Sequence, residues 1–487
     1  MTDLRQQTIH ALKWSFIGTF AMQAVQFLIA VVLARLLLPA EFGLIAMLSL
    51  FMALATSLLD CGFGSALIQK VDVTRRDSSA VFYFNLCMAA VMFGVLWISA
   101  PAIGRFFDEP ALAPLGRFLA FNLIINAFGL VQGTLLTKNL DFKTQSIVAV
   151  IATVGSGTLG VGLAWHGFGV WSLAAQSVTA NSLRVGLYWI MTPWRPVATF
   201  SLDALKGMFP FGSRMAMSSV LNTIFENLYP VLIGKLYTKT DVGFYSRAMS
   251  TQRLPSGLLS DILSKVAFPA FASIQNDRPR LKAAYRKTIV LACFLAFPLM
   301  LGLMAVARPL FLVVFTARWE ASIPYFQALC LAGMLLPLQA LNLNVLMAIG
   351  RSDIFFRLEV FKKIVLAVAI VATCRLGVMA LVWGQVASSM ICLVINTFYS
   401  GTLIDYPLRE QLRDVAPSFL LAAAMAAAVG LLGANMHGSM AMTLAGQGVA
   451  GITLYAAGSA ALGLGPYAEI KKIAAGRIGS LKQLVTG

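Results

Sequence analysis

The chain has 487 residues, 59% hydrophobic and 12% charged, with a net charge of +17 and a mean hydropathy of +0.81. Soluble domains carry about 25% charged residues, so this chain cannot cover a water-facing surface, and a soluble protein is excluded. It reads as an all-α polytopic membrane protein: apolar runs of about 20 residues recur, each long enough to cross ~30 Å of hydrocarbon and too long for barrel strands of about 10 residues.

In chain order the pattern predicts fourteen spans, at 14–37, 43–67, 81–104, 115–136, 145–165, 168–191, 212–235, 243–270, 287–307, 322–349, 356–374, 377–400, 415–434 and 440–463. The first run far exceeds a 7–15-residue signal-peptide core and no small-residue cleavage site follows, so it reads as a span with an amphipathic lead-in from Leu4 to Lys13. The expected organisation is a six-helix lobe (1–200), a second six-helix lobe repeating it (201–406), two additional helices (407–465) and a basic cytoplasmic tail (466–487). Ile470, Ile473, Ile478 and Leu481 would anchor that tail on the inner leaflet.

Loop charge orients the spans. With the N-terminus inside, the inside loops and tails hold 25 of the 37 Lys and Arg, and the outside loops hold 8. The bias places both termini in the cytoplasm. A basic rim facing anionic headgroups also accounts for the net charge, so no nucleic-acid partner is implied. No loop is long enough for a folded soluble domain. The six cysteines lack C-x-x-C spacing and fall in or beside apolar runs, which suits small buried hydrophobes.

One stretch occurs twice. Leu33-Ala34-Arg35-Leu36 is followed by Glu41-Phe42-Gly43, and Ile233-Gly234-Lys235-Leu236 by Asp241-Val242-Gly243 in the same register. A base closes one helix and an acid opens the next, which suits the helix dipole, but the identical spacing goes beyond that general preference. Gly169-Val170-Trp171-Ser172-Leu173 is echoed by Gly377-Val378-Met379-Ala380-Leu381, and Lys138 to Phe142 more loosely by Gly350 to Ile354. About two hundred residues read as duplicated.

Nucleotide and metal chemistry find no motif: there is no Walker lysine loop and no H-E-x-x-H, and the three histidines are scattered. Gly155-Ser156-Gly157-Thr158-Leu159-Gly160 matches G-x-G-x-x-G, but it lies inside a span with no strand before it. Ala152, Ser156, Gly160 and Ala164 form the small-residue stripe along which membrane helices pack. No cofactor is expected.

Polar residues inside spans carry the functional information, since each costs ~2.5–3.5 kcal/mol or more if it faces lipid. They are Gln23 and Gln26 in span 1, Asn122 and Asn126 in span 4, Arg184 in span 6, Asn222 and Glu226 in span 7, and Arg247, Gln252 and Arg253 in span 8. Gln339, Asn342 and Asn344 follow in span 10, and Gln385 and Asn396 in span 12. Any single amide is explained by interhelical hydrogen bonding. The set, drawn from both halves, is better explained by a wet cavity between them.

Leu33 to Met47, Asp60-Cys61-Gly62-Phe63-Gly64-Ser65-Ala66-Leu67-Ile68-Gln69, Pro193-Trp194-Arg195-Pro196, Asp241 to Ala248 and Gly350-Arg351-Ser352-Asp353 together resemble the lipopolysaccharide and exopolysaccharide flippases. These form the polysaccharide branch of the multidrug/oligosaccharidyl-lipid/polysaccharide exporter superfamily, and the likeness is to its colanic-acid-type members. It runs from about residue 10 to 405. Cys61 stands where a small hydroxyl residue is expected, and the last two spans match poorly. The resemblance implies two six-helix lobes about a central cavity that opens to either side in turn. It also implies transfer of a polyprenyl-pyrophosphate-linked oligosaccharide across a bacterial inner membrane, with membrane lipid and the polysaccharide polymerase and export machinery as partners. The substrate-binding candidates are then Arg184, Arg247, Arg253, Glu226, Asn222, Asn122, Asn126, Gln23 and Gln26, with arginines binding the pyrophosphate and Glu226 holding an arginine when the site is empty. Pro230 and Pro255-Ser256-Gly257 are expected to kink or loosen the helices beside them. A structural Glu226–Arg253 pair is the competing explanation. A drug antiporter of the same fold would want an aromatic and acidic site. A membrane glycosyltransferase or polymerase would want catalytic acids or a large periplasmic loop. A scaffolding protein would not repay the buried polar residues.

Overall fold

The computed structural model describes residues 2–471 apart from 199, 200, 437 and 470, and side chains from Gly18 onward except that of residue 204. The anchors proposed for the tail, and the side chains of the lead-in before Gly18, lie outside the described residues. The elements are α1 (Thr2–Leu36), α2 (Pro39–Asp60), α3 (Phe63–Gln69), α4 (Arg75–Phe106), α5 (Leu112–Lys138), α6 (Phe142–Trp165), α7 (Val170–Met191), α8 (Leu202–Leu236) and α9 (Lys239–Ser273). There follow α10 (Arg278–Ala305), α11 (Ala307–Val314), a 3-10 turn (Ala317–Trp319), α12 (Ser322–Gly333), α13 (Leu336–Ala348), α14 (Ser352–Thr373), α15 (Val378–Leu403), α16 (Leu408–Asn435) and α17 (Met440–Ala461). Among the described residues all regular structure is helical.

Ten helical stretches are long and apolar enough to cross a membrane, α12 and α13 together supplying one of them. The chain is a multi-pass membrane protein. Four further helices, α7, α8, α9 and α14, have the length to cross, at 22, 35, 35 and 22 residues, but are not among the ten. They carry Arg184, Asn222, Glu226, Arg247, Arg253 and the base-rich start of α14. The charged candidates thus all lie on helices outside the ten, while the amides of α1 and α5 lie within them.

Capping sets the helix starts. Leu38 N donates to Glu41 Oε2 at 2.6 Å, and Thr238 N donates to Asp241 Oδ2 at 3.2 Å while Asp241 N donates back to Thr238 Oγ1 at 3.2 Å. The acids of the duplicated stretch are therefore capping residues at the same helical position, each satisfying an orphan amide. Gly169 and Gly377, paired by the repeat, precede α7 and α15 with φ of +56° and +105°, backbone that residues with a Cβ rarely adopt.

The chain packs as two compact units, Met1–Ser246 and Arg247–Gly487, with the boundary inside α9. In the first, α4 packs on α5, α1 on α6, α6 on α7, and α2 on α8. The glycines of α6 are contact points: a Cβ on Gly157 would run into the Ile29 side chain of α1, and one on Gly160 would lie 2.9 Å from Gln176 Cβ of α7. Ala152, Ser156, Gly160 and Ala164 are all buried, so the stripe packs helices.

In the second unit α10 packs on α16, α14 on α15, and α16 on α17. Inside it, Tyr285 donates to Asn342 Oδ1 at 2.6 Å, Ser400 donates to the same oxygen, and Asn342 donates to Leu338 O at 2.9 Å. Here the hydrogen-bonding account of a polar span residue holds. The last two helices join this unit through charge as well as packing. Lys282 and Arg286 of α10 meet Glu410 and Asp414 of α16 at 3.0 and 2.6 Å.

Candidate functional site

The candidates of the first unit fall into two groups. Asn122, buried on α5, donates to Ser177 Oγ at 3.3 Å and accepts from Asn181 Nδ2 at 2.7 Å. Ser177 and Asn181 are one turn apart on α7, and Arg184 follows three residues on, half-buried on the same side of the helix. This chain of amides fixes α7 against α5 and sets the azimuth at which Arg184 leaves the helix. Asn126, one turn along α5, is half-buried.

The second group stands on α8. Ser219, Asn222, Thr223 and Glu226 fall within about 100° of one another at 100° per residue, forming a polar strip in the middle of a 35-residue helix. Ser219, Asn222 and Glu226 are exposed. Ser57 of α2 donates to Ser219 at 2.9 Å, so α2 borders the strip. On α1, Gln23 is half-buried with Oε1 shielded from solvent and Gln26 is exposed.

In the second unit Arg247 and Arg253 part company. Six residues of α-helix separate them by about 120° around the axis. Arg247 is buried, its guanidinium 5.2 Å from the ring centre of Phe315 and 5.0 Å from that of Trp319. Stacking on aromatic faces is a favourable way to hold a desolvated guanidinium. Arg253 is exposed. Between them Gln252 is buried and donates to Ser256 Oγ at 2.9 Å, and Ser256 donates to Gln252 O at 3.1 Å. The helix is continuous through Pro255, as α8 is through Pro230. The carbonyl of Thr251 loses its usual amide partner at Pro255 without an interruption of the helix.

Sequence reasoning missed the contact that the duplicated stretch makes with itself. A Cβ on Gly43 would overlap the carbonyl of Lys239 and lie 3.2 Å from Gly243 N. One on Gly243 would overlap the carbonyl of Pro39 and lie 3.2 Å from Pro39 Cα. Residues 39 and 43 thus meet 243 and 239 reciprocally, as a pseudo-two-fold contact of repeated elements requires. From this seam α2 and α8 run antiparallel, past the Ser57–Ser219 contact, to Gly212, whose Cβ would lie 2.9 Å from Cys61 O. Lys235 pairs with Asp108 at 3.1 Å and Lys239 with Glu109 at 2.9 Å beside it. The equal register of the two glycines was the available signal. The aromatic partners of Arg247 left none, since they lie some seventy residues downstream.

A family model described as "Polysaccharide biosynthesis protein" matches residues 32–324, which takes in the seam, the α8 strip and both arginines of α9. The chain belongs to this family. Among its relatives are the lipopolysaccharide biosynthesis protein WzxC of Escherichia coli, 28% identical over 83% of this chain and 82% of that protein, and the succinoglycan biosynthesis transport protein ExoT of Rhizobium meliloti, 27% identical over 70% and 69%. In fold it is similar to the lipid II flippase MurJ in an inward closed conformation, with a TM-score of 0.77 at 14% identity over 92% of this chain and 98% of that one.

Proposed function

We propose that this family member is a flippase for lipid-linked oligosaccharides. It moves polyprenyl-pyrophosphate-linked repeat units from the cytoplasmic to the periplasmic leaflet of a bacterial inner membrane, by alternating access, for exopolysaccharide or lipopolysaccharide synthesis. The relatives support the substrate class, being named for lipopolysaccharide synthesis and succinoglycan transport. The observation that carries the mechanism is the exposed polar strip of Asn222 and Glu226 in mid-helix. Glu226 lies ten residues from the end of α8, ~15 Å along the axis, where exposure to lipid would cost kilocalories. A hydrated path for a sugar makes that placement affordable.

In this proposal Arg253 and Arg184 bind the pyrophosphate, Arg247 is a third cation kept against Phe315 and Trp319, and Glu226 holds an arginine between cycles. Asn222, Asn126, Gln23 and Gln26 offer hydrogen bonds to sugar, and Asn122 positions α7. All fourteen spans cross, the two lobes derive from the repeat at 1–200 and 201–406, and both termini are cytoplasmic. The reaction needs no bond making, so the role is transport and no catalytic residue is assigned. A strain lacking the protein tests the proposal. Lipid-linked repeat units should accumulate, inaccessible to a probe added from the periplasm. Accumulation on the periplasmic side would place the defect after flipping and contradict it.

A further inference from the structure

The charges at the start of α14 are unevenly matched. Arg351 holds Asp353 by two hydrogen bonds of 2.9 Å, and Lys362 holds Glu359 at 2.8 Å. These are the two acids of α14, and both are committed. Arg357, exposed between them, has no ion pair among the described residues. It lines a cavity of about 460 Å³ with Phe361, Val394, Phe398 and Tyr399, a volume in the range of small-molecule sites.

Depth orders the lining. Arg357 is five residues into α14 and Tyr399 four from the end of α15, ~6–8 Å from the helix ends at 1.5 Å per residue. Phe361 and Val394 are each nine residues in, ~13–14 Å. A guanidinium and a phenol therefore stand at headgroup depth, and an apolar groove leads from them toward the bilayer centre. A zwitterionic headgroup would bring an ammonium beside Arg357 with no acid left to receive it. A pyrophosphate would present two phosphates to one cation.

We infer that this groove is a site for one anionic phospholipid, with its phosphate on Arg357 at the level of Tyr399 and one acyl chain that starts at Phe398 and runs deeper along Val394 and Phe361. Bidentate guanidinium–phosphate contact supplies the selectivity, and the aromatic walls supply affinity for any chain. The inference does not depend on the transport reading.

Native mass spectrometry of the purified full-length protein, titrated with phosphatidylglycerol or phosphatidylcholine, tests it. One phosphatidylglycerol should be retained about tenfold more tightly than phosphatidylcholine, a difference in the range of a charge-assisted contact. Arg357→Gln, at an exposed position, should bring phosphatidylglycerol down to the phosphatidylcholine level, and Arg357→Lys should restore part of the difference. Phe398→Ala should weaken both lipids together. Equal retention of the two lipids by the natural protein, no effect of Arg357→Gln, or preferential capture of a polyprenyl pyrophosphate in this groove would overturn the proposal.

Discussion

Arg253 and Glu226 decide whether the intramembrane charges serve substrate or structure. Arg253→Ala should abolish polymer export while the protein still inserts and folds, and adding Glu226→Gln should not rescue it. Export regained in the double variant would make the arginine a partner of Glu226 only. Arg253→Lys should recover little, because a point charge cannot reproduce a bidentate guanidinium contact. Arg247 answers a different question. Its stacking on the buried Trp319 makes Trp319→Ala costly by about 3–5 kcal/mol for the lost aromatic packing alone. That variant should show a lowered melting temperature before any transport defect is interpreted. The sequence marked all three of these charged positions as intramembrane, but the aromatic hold on Arg247 depends on a long-range contact that no local pattern encodes.

At the scale of elements, the duplicated hairpins close on each other through backbone, with ion pairs beside them. The magnitudes separate the two. Lys239–Glu109 and Lys235–Asp108 are partly exposed, and such pairs contribute about 0–1 kcal/mol. A side chain at Gly243 must displace the backbone of Pro39, and overpacking of this kind costs about 1–3 kcal/mol or more. Gly243→Val should therefore lower the melting temperature of the purified protein clearly, and Lys239→Ala hardly at all. Equal effects would mean that the seam is held by charge. The repeat could be read from residues 33–43 and 233–243 because capping and backbone approach constrain residue type at fixed spacing. That the copies touch could not be read, because duplication alone does not say which surfaces meet. The G-x-G-x-x-G of α6 was legible as packing for the opposite reason: its stripe repeats every four residues, the period of a helix face.

For the whole molecule, apolar composition identified the membrane class, and ten helical stretches are long and apolar enough to cross. The four long helices outside that set, α7, α8, α9 and α14, carry the charged candidates and the bases of α14, whereas α1 and α5 stay within it although they carry amide candidates. Reporter fusions test the topology. Those after residues 75, 140, 205, 280, 355, 410 and 480 should report cytoplasm, and those after 40, 108, 238 and 318 periplasm. A periplasmic fusion at 480 would make the number of crossings odd and break the two-lobe scheme. The substrate class was legible only through family resemblance, since arginine and amides specify phosphate and hydroxyl chemistry without naming the sugar. The transport claim itself is tested most directly in vesicles. Purified protein reconstituted with a fluorescent polyprenyl-pyrophosphate oligosaccharide should move label to the opposite leaflet without ATP, and Arg253→Ala vesicles should remain at the protein-free level. Movement no faster than in protein-free vesicles, or movement only when ATP is supplied, would contradict the account.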